Sequence, residues 1–99
     1  MQLKFEDNDL ERLAYDPKAH TSRWSPDVTK AFRRVLFYIE NAKDERDIRA
    51  LKGLRMEKLK GKRTGTSSVR INSQYRLILR FEAAANNRIA VIIEAVDYH

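Results

Sequence analysis

The sequence predicts an α+β fold in which N-terminal helices pack on one face of an antiparallel sheet. Three observations support this. Apolar residues recur at helical spacing behind Ser25-Pro26-Asp27, residues 69–81 alternate as strands do, and residues 89–96 form an almost unbroken apolar run. Helices come first, and a meander of strands follows.

Leu3 and Phe5 flank Lys4 in a brief alternation, which predicts a first strand at a sheet edge. Asp7 to Ala14 predicts a short helix with Asp9 as its N-cap, because Leu10, Leu13 and Ala14 fall on one side. Tyr15 to Arg23 is polar, contains Pro17 and has no period, so it reads as a mobile loop. His20 lies there and receives no role. Ser25-Pro26-Asp27 then supplies a cap, a proline suited to the first helical turn and an acid that complements the helix dipole. The helix predicted from it runs to about Asn41, with Val28, Ala31, Phe32, Val35, Leu36 and Ile39 as its core stripe. Lys30, Arg33, Arg34 and Lys43 lie off that stripe, either solvated or adding to a basic field. Trp24 is expected to pack against the start of the helix in preference to stacking on a base.

Asp44 to Leu51 predicts a short helix capped by Asp44 and ended near Gly53. Met56 to Leu59 alternates poorly and is expected to be a connection leading to a short strand or loop. Val69 and Ile71, then Tyr75, Leu77, Leu79 and Phe81, predict two antiparallel strands joined around Ser73. A turn at residues 84–87 leads to the last strand. There Ile89, Val91 and Ile93 are expected on one face and Ile92 and Val96 on the other.

Composition narrows the possibilities. The 99 residues, 42% of them hydrophobic, suit a single globular domain spanning 1–99. A chain of this size buries only about two-thirds of its unfolded surface, so the core is lean. The absence of cysteine excludes disulfides and thiolate metal sites. The run Ile89–Ile93 is too short to span a bilayer, and the acidic start MQLKFEDND lacks the pattern of a signal peptide, so a cytoplasmic protein is expected. The net charge of +6 is unevenly placed: residues 1–50 hold ten Lys/Arg and ten Asp/Glu, whereas residues 51–99 hold ten against four. Between Lys52 and Arg80 there are nine basic residues and one acid, Glu57. A field of this kind attracts polyanions, although a solvated basic face or an acidic protein partner fits it as well.

One stretch resembles a known family. DIRALKGLRMEKLKGKRTGTSSVRINSQYRLILRF, with a closing strand that ends in VDYH, resembles the HigB-type toxins of the RelE/ParE superfamily of bacterial toxin–antitoxin systems. The resemblance is strongest over residues 44–99. Its most specific parts are Asp47-Ile48-Arg49, Gly53 and Arg55, the loop Leu59 to Arg63 with Gly65, Ser68 to Asn72 with Gln74-Tyr75-Arg76, and Asp97-Tyr98-His99. Several matches in the right order are far more specific than one short pattern.

The resemblance implies a RelE-like, microbial ribonuclease fold and a toxin that cuts messenger RNA in the ribosomal decoding site, without a metal or other cofactor. It implies a HigA-type helix-turn-helix antitoxin as partner, with operator DNA contacted only through that antitoxin, and no role at a membrane. In the expected reaction a ribose 2′-hydroxyl attacks the adjacent phosphate and expels the 5′-oxygen, which calls for a base, an acid and cations. On the family pattern Lys60 stabilises the phosphate or takes part in proton transfer, and Arg76 grips phosphate oxygens with its fork. His99 serves as acid or base, since imidazole alone titrates near neutral pH unaided. Asp97 orients or charge-balances His99, and Tyr98 stacks on a base or donates to phosphate. Arg70, Lys62, Arg63 and Lys58 hold RNA or ribosome.

Some family members have a histidine three positions before the loop lysine, and here that position is Glu57. Glu57 and His99 are therefore rivals for the general base. Structural alternatives stand beside each role: Arg76 could pair with Glu94 across strands, and Glu57 with Lys58 or Lys60. A different class of function also remains, a non-catalytic toxin of the same fold that inhibits another target such as DNA gyrase, as the ParE branch does.

Overall fold

The computed structural model describes residues 1–98. Strand β1 (Gln2–Phe5) and helices α1 (Asn8–Tyr15), α2 (Pro26–Asn41) and α3 (Glu45–Ala50) come first. A 3-10 turn at Lys52–Leu54 leads to β2 (Glu57–Lys58), β3 (Ser67–Arg70), β4 (Tyr75–Ala83) and β5 (Arg88–Asp97), with a second 3-10 turn, Gly61–Arg63, between β2 and β3. The five strands form one sheet in the order β1-β5-β4-β3-β2. Its pairs are antiparallel except that the edge strand β1 joins β5 in parallel. The helices that separate β1 from the other strands supply the crossover a parallel pair requires, which local alternation in the sequence does not encode.

Local signals place the helices well. Ser25 accepts from Val28 N–H, and Asp44 accepts from Arg46 N–H, each as expected of a cap. In α1 the cap is Asp7 rather than Asp9: the Asp7 carboxylate accepts from Leu10 N–H at 3.0 Å, and Asp9 instead pairs with Arg12 inside the helix. Along α2, Phe32, Val35, Leu36 and Ile39 are buried in the core, with Val28 and Ala31 packed at its margin. Burying a side chain such as Phe32 contributes about 1.5–3 kcal/mol. Trp24 is buried as expected, with ring centroids 5.3 Å from Phe32 and 5.9 Å from Tyr75. Arg33, read from sequence as solvated or as part of a basic field, holds the 15–23 loop. Its guanidinium donates to the carbonyls of Leu13, Asp16 and Ala19.

The sheet has two unlike faces. Toward the helices point Val69, Leu77, Leu79, Ala90 and Ile92, with Leu3, Phe5, Tyr75, Phe81 and Ala95 packed around them. Ile78, Ile89 and Val91 are also buried but lie outside that cluster, on the face away from the helices. The expected faces of β5 need correction at this point. Ile78 is opposite Glu94 while Leu79 is opposite Ile92, so Ile93 is an extra, bulged residue. A bulge resets the alternation, and Val96 therefore shares a face with Ile89 and Val91 and not with Ile92. Among the described residues no helix is long and apolar enough to cross a membrane.

Candidate active site

β4 carries the central side chain of the site. Alternation that sends Leu77 and Leu79 into the core sends Arg76 to the opposite face. Arg76 is the only buried charged residue among those described, at 8% exposure. Its guanidinium donates to the Arg55 carbonyl at 3.1 Å, stands 3.6 Å from the Glu57 carboxylate and lies 4.8 Å from the centre of the Tyr98 ring. The approach to Glu57 exceeds hydrogen-bond length. Of five N–H donors on a guanidinium, one is thus engaged among the described residues, which leaves most of the fork for a ligand.

Each neighbour of Arg76 has a structural reason for its place. Arg55 follows the Lys52–Leu54 turn with φ of 47°, a left-handed conformation that non-glycine residues seldom adopt. That kink is the geometry in which its carbonyl meets Arg76. Glu57 faces Ser68 across the β2–β3 pair and reaches past β3 to the arginine. Tyr98 is held at the end of β5 by its N–H, which donates to the Gln74 carbonyl at 2.6 Å. Directly across from Arg76 on β3 is Arg70. Like charges in register weaken a sheet, by up to about 1 kcal/mol, so the pair forms a site prepared for an anion.

The loop between β2 and β3 forms another wall. Leu59 N–H donates to the Thr66 carbonyl, Thr64 and Thr66 hydroxyls donate to the Gly61 and Arg63 carbonyls, and Gly61 and Gly65 take φ of 67° and 91°. Glycine is the residue that turns this way without strain. Lys60 begins the Gly61–Arg63 turn, exposed, with no ion-pair partner among the described residues. Arg63 reaches across the sheet to Glu94 at 3.2 Å.

The structure brings together Arg76, Glu57, Tyr98 and Arg70. Lys58 points the other way along β2, into a hollow it shares with Glu45, Ser67 and Arg88. Lys62 and Arg63 are exposed on the turn. Asp97 stands opposite Tyr75, and its carboxylate accepts from the Gln74 side chain at 3.0 Å. His99 lies outside the described residues. Two pairings weighed as structural alternatives are not formed: Val96, not Glu94, faces Arg76, and Glu57 meets Arg76 instead of Lys58 or Lys60. In the sequence Arg55 and Gln74 stand out only as family-pattern residues with no role, and Glu94 only as an alternative partner of Arg76; Arg55 acts through its backbone, which leaves no side-chain signal. Among the described residues no three His, Asp or Glu side chains gather to hold a metal ion. Chemically the arrangement offers a rigid cation, a facing carboxylate, an exposed aromatic ring and a flanking basic loop.

A five-stranded sheet with helices packed on one face is the fold of the YoeB/ParE toxins among solved structures. A YoeB/ParE toxin from Agrobacterium tumefaciens superposes with a TM-score of 0.60 at 16% identity over the whole of both chains. The YoeB-YefM complex from Staphylococcus aureus gives 0.58 at 25% identity, covering 100% of this chain and 97% of that one. The family model described as the RelE-like toxin of type II toxin-antitoxin system HigB matches residues 3–99. Toxin HigB-1 of Vibrio cholerae serotype O1 is 39% identical over 82 residues, which are 82% of this chain and 84% of that protein. The chain belongs to the HigB-like family of type II toxin–antitoxin toxins.

Proposed function

We propose that this toxin is a ribosome-dependent endoribonuclease that cuts messenger RNA and so stops translation, acting without a metal. The observation that carries the reading is Arg76: a buried guanidinium, fixed from behind by a backbone carbonyl, with most of its donors open and a second arginine in register beside it. Holding such a group ready costs the fold stability, and a scissile phosphate is the ligand that offsets the cost. In the reaction the ribose 2′-oxygen bonds to phosphorus and the bond from phosphorus to the 5′-oxygen breaks, leaving a 2′,3′-cyclic phosphate and a 5′-hydroxyl. One proton leaves the 2′-hydroxyl and one reaches the 5′-oxygen. Arg76, already in position, stabilises the extra charge on the equatorial oxygens, and Lys60 adds to it from the loop.

In this reading Glu57 or His99 takes the 2′ proton; where Glu57 is the base His99 supplies the proton that reaches the 5′-oxygen, and where His99 is the base Lys60 supplies it. Tyr98 stacks on a base, while Asp97, tied to Gln74, steadies the end of β5. Arg70, Lys58, Lys62 and Arg63 hold RNA and ribosome, with phosphate replacing Glu94 beside Arg63. Ribosomes and message place the activity in the cytoplasm. The Staphylococcus aureus relative is a YoeB toxin in complex with its YefM antitoxin, and the family assignment gives this chain an antitoxin of its own, here proposed to be a HigA-type helix-turn-helix protein.

The test is cleavage of a message on programmed ribosomes by wild type, Arg76→Ala, Glu57→Gln and His99→Gln. Uncut message with wild type, accompanied by loss of gyrase supercoiling, would transfer the protein to the non-catalytic branch. Full cleavage by a folded Arg76→Ala variant would remove the site. The pH dependence of the rate then separates the rivals: the limb that vanishes with Glu57→Gln or with His99→Gln belongs to that residue.

A further inference from the structure

Beside the Arg70–Arg76 pair a groove of about 690 Å³ runs between α2 and the Lys52–Leu54 turn. Val35, Leu51 and Ile71 give it apolar walls, and Arg34, Tyr38, Lys52 and Arg70 stand along it. Tyr38 is 39% and Leu51 40% exposed, an apolar pair left facing solvent. No Asp or Glu lines the groove. Among the described residues Arg34, Lys52 and Arg70 make no ion pair. Cations are thus left open where the surface is also apolar.

We propose that this groove docks a segment of the antitoxin in which an apolar side chain is flanked by acidic ones, a proposal that rests on the toxin–antitoxin assignment. The apolar side chain would pack on Val35, Leu51 and Ile71 beneath the Tyr38 ring, and carboxylates would meet Arg34 and Lys52 at the rim. Charge complementarity selects the acidic flanks. The aliphatic walls select the anchor, since a phosphate backbone has nothing to bury there. Arg70 lines the groove and also faces Arg76, so a carboxylate bound at Arg70 takes a cation that the RNA phosphate needs. Docking and substrate binding therefore exclude one another at that residue, and the antitoxin silences the toxin from the flank.

The experiment uses full-length toxin carrying Arg34→Glu with Lys52→Glu, and separately Tyr38→Ala, all exposed positions whose folding is checked by thermal unfolding. Affinity for the purified cognate antitoxin is measured at low and high salt, alongside message cleavage by free toxin. The double variant should bind at least about tenfold more weakly and lose most of its salt dependence. Tyr38→Ala should also bind about tenfold more weakly, with salt dependence kept. Cleavage should stay within about twofold for both. Unchanged affinity in both variants overturns the proposal. So does lost cleavage with antitoxin affinity intact, which would give the groove to RNA or ribosome. Wild-type toxin that binds no antitoxin at all would end the underlying assignment instead, an outcome recognisable before any variant is made.

Discussion

Arg76 and Arg80 stand two pleat repeats apart on the same face of β4, and their surroundings differ. Arg80 is met by two carboxylates, Glu6 at 2.8 Å and Glu82 at 3.0 Å, and is partly exposed. Arg76 is buried, touches one carbonyl and an aromatic ring, stands at a distance from one carboxylate, and faces another arginine. Composition and alternation treat the two as equivalent. Partners divide them: a cation answered by its own chain supports the fold, and one left open supports binding.

The sharpest way to break this contrast is to replace each arginine in turn. Arg76→Met keeps the buried stem and removes the charge, so cleavage on ribosomes should fall about 10²–10³-fold, as when a preorganised transition-state donor is lost. Its unfolding temperature should not fall, because the repulsion with Arg70 goes with the charge. Arg76→Lys should recover only part of the rate, since an ammonium lacks the fork. Cleavage by Arg76→Met at the wild-type rate would erase the distinction.

Tyr98 gives the next largest effect. With the ring lying over the guanidinium and exposed on its other side, stacking on a base is worth about 1–3 kcal/mol. Tyr98→Ala should therefore slow cleavage by roughly ten- to a hundredfold, and Tyr98→Phe should retain most of the rate. If Tyr98→Phe is as slow as Tyr98→Ala, the hydroxyl acts on phosphate instead and the stacking role is wrong.

Much of this was legible in the sequence, for identifiable reasons. The α2 boundaries follow from Ser25, Pro26 and the apolar stripe, all local, and the β3–β4 hairpin follows from alternation. What escaped depends on long-range geometry. The parallel β1–β5 pair needs the whole chain, and the Ile93 bulge is a register between two strands that neither strand announces. The cap at Asp7 rather than Asp9 is a choice between two adequate acids two residues apart. At the site, Arg76 could be named from the family pattern, but its burial could not, and neither could the Arg55 carbonyl, which any residue type might have supplied. Arg33 looked like surface charge because its acceptors are carbonyls of a loop without period.

Arg80→Ala should have a smaller effect, confined to stability. It removes two partly exposed ion pairs, one to Glu6 just past β1 and one to Glu82 within β4, so the unfolding temperature should drop by no more than a few °C while message cleavage is unchanged. A cleavage loss comparable with that of Arg76→Met would show that open partners are not what marks the functional cation.

The smallest effect should come from acid, on the structural side of the same divide. Arg88 holds Glu45 with two hydrogen bonds of 2.9 and 2.7 Å, joining the start of β5 to α3, and this keeps the Glu45 carboxyl below its ordinary range. Hydrogen bonds from the Arg46 side chain and backbone pull Asp44 down to about 2. Both folded values lie below the unfolded ones, so the unfolded chain binds more protons in this window and stability rises with pH through it. The contribution is fully present above about pH 4–5 and is lost as pH falls toward about 2. Solvent screening keeps the Asp44 share small. Glu45→Gln should thus unfold a few °C lower at neutral pH and show a flatter acid limb than wild type, converging with it near pH 2, while cutting message normally at pH 7. An acid limb of undiminished slope in Glu45→Gln would mean that the β5–α3 fork does not carry the pH dependence, and that carboxylates nearer Arg76 do.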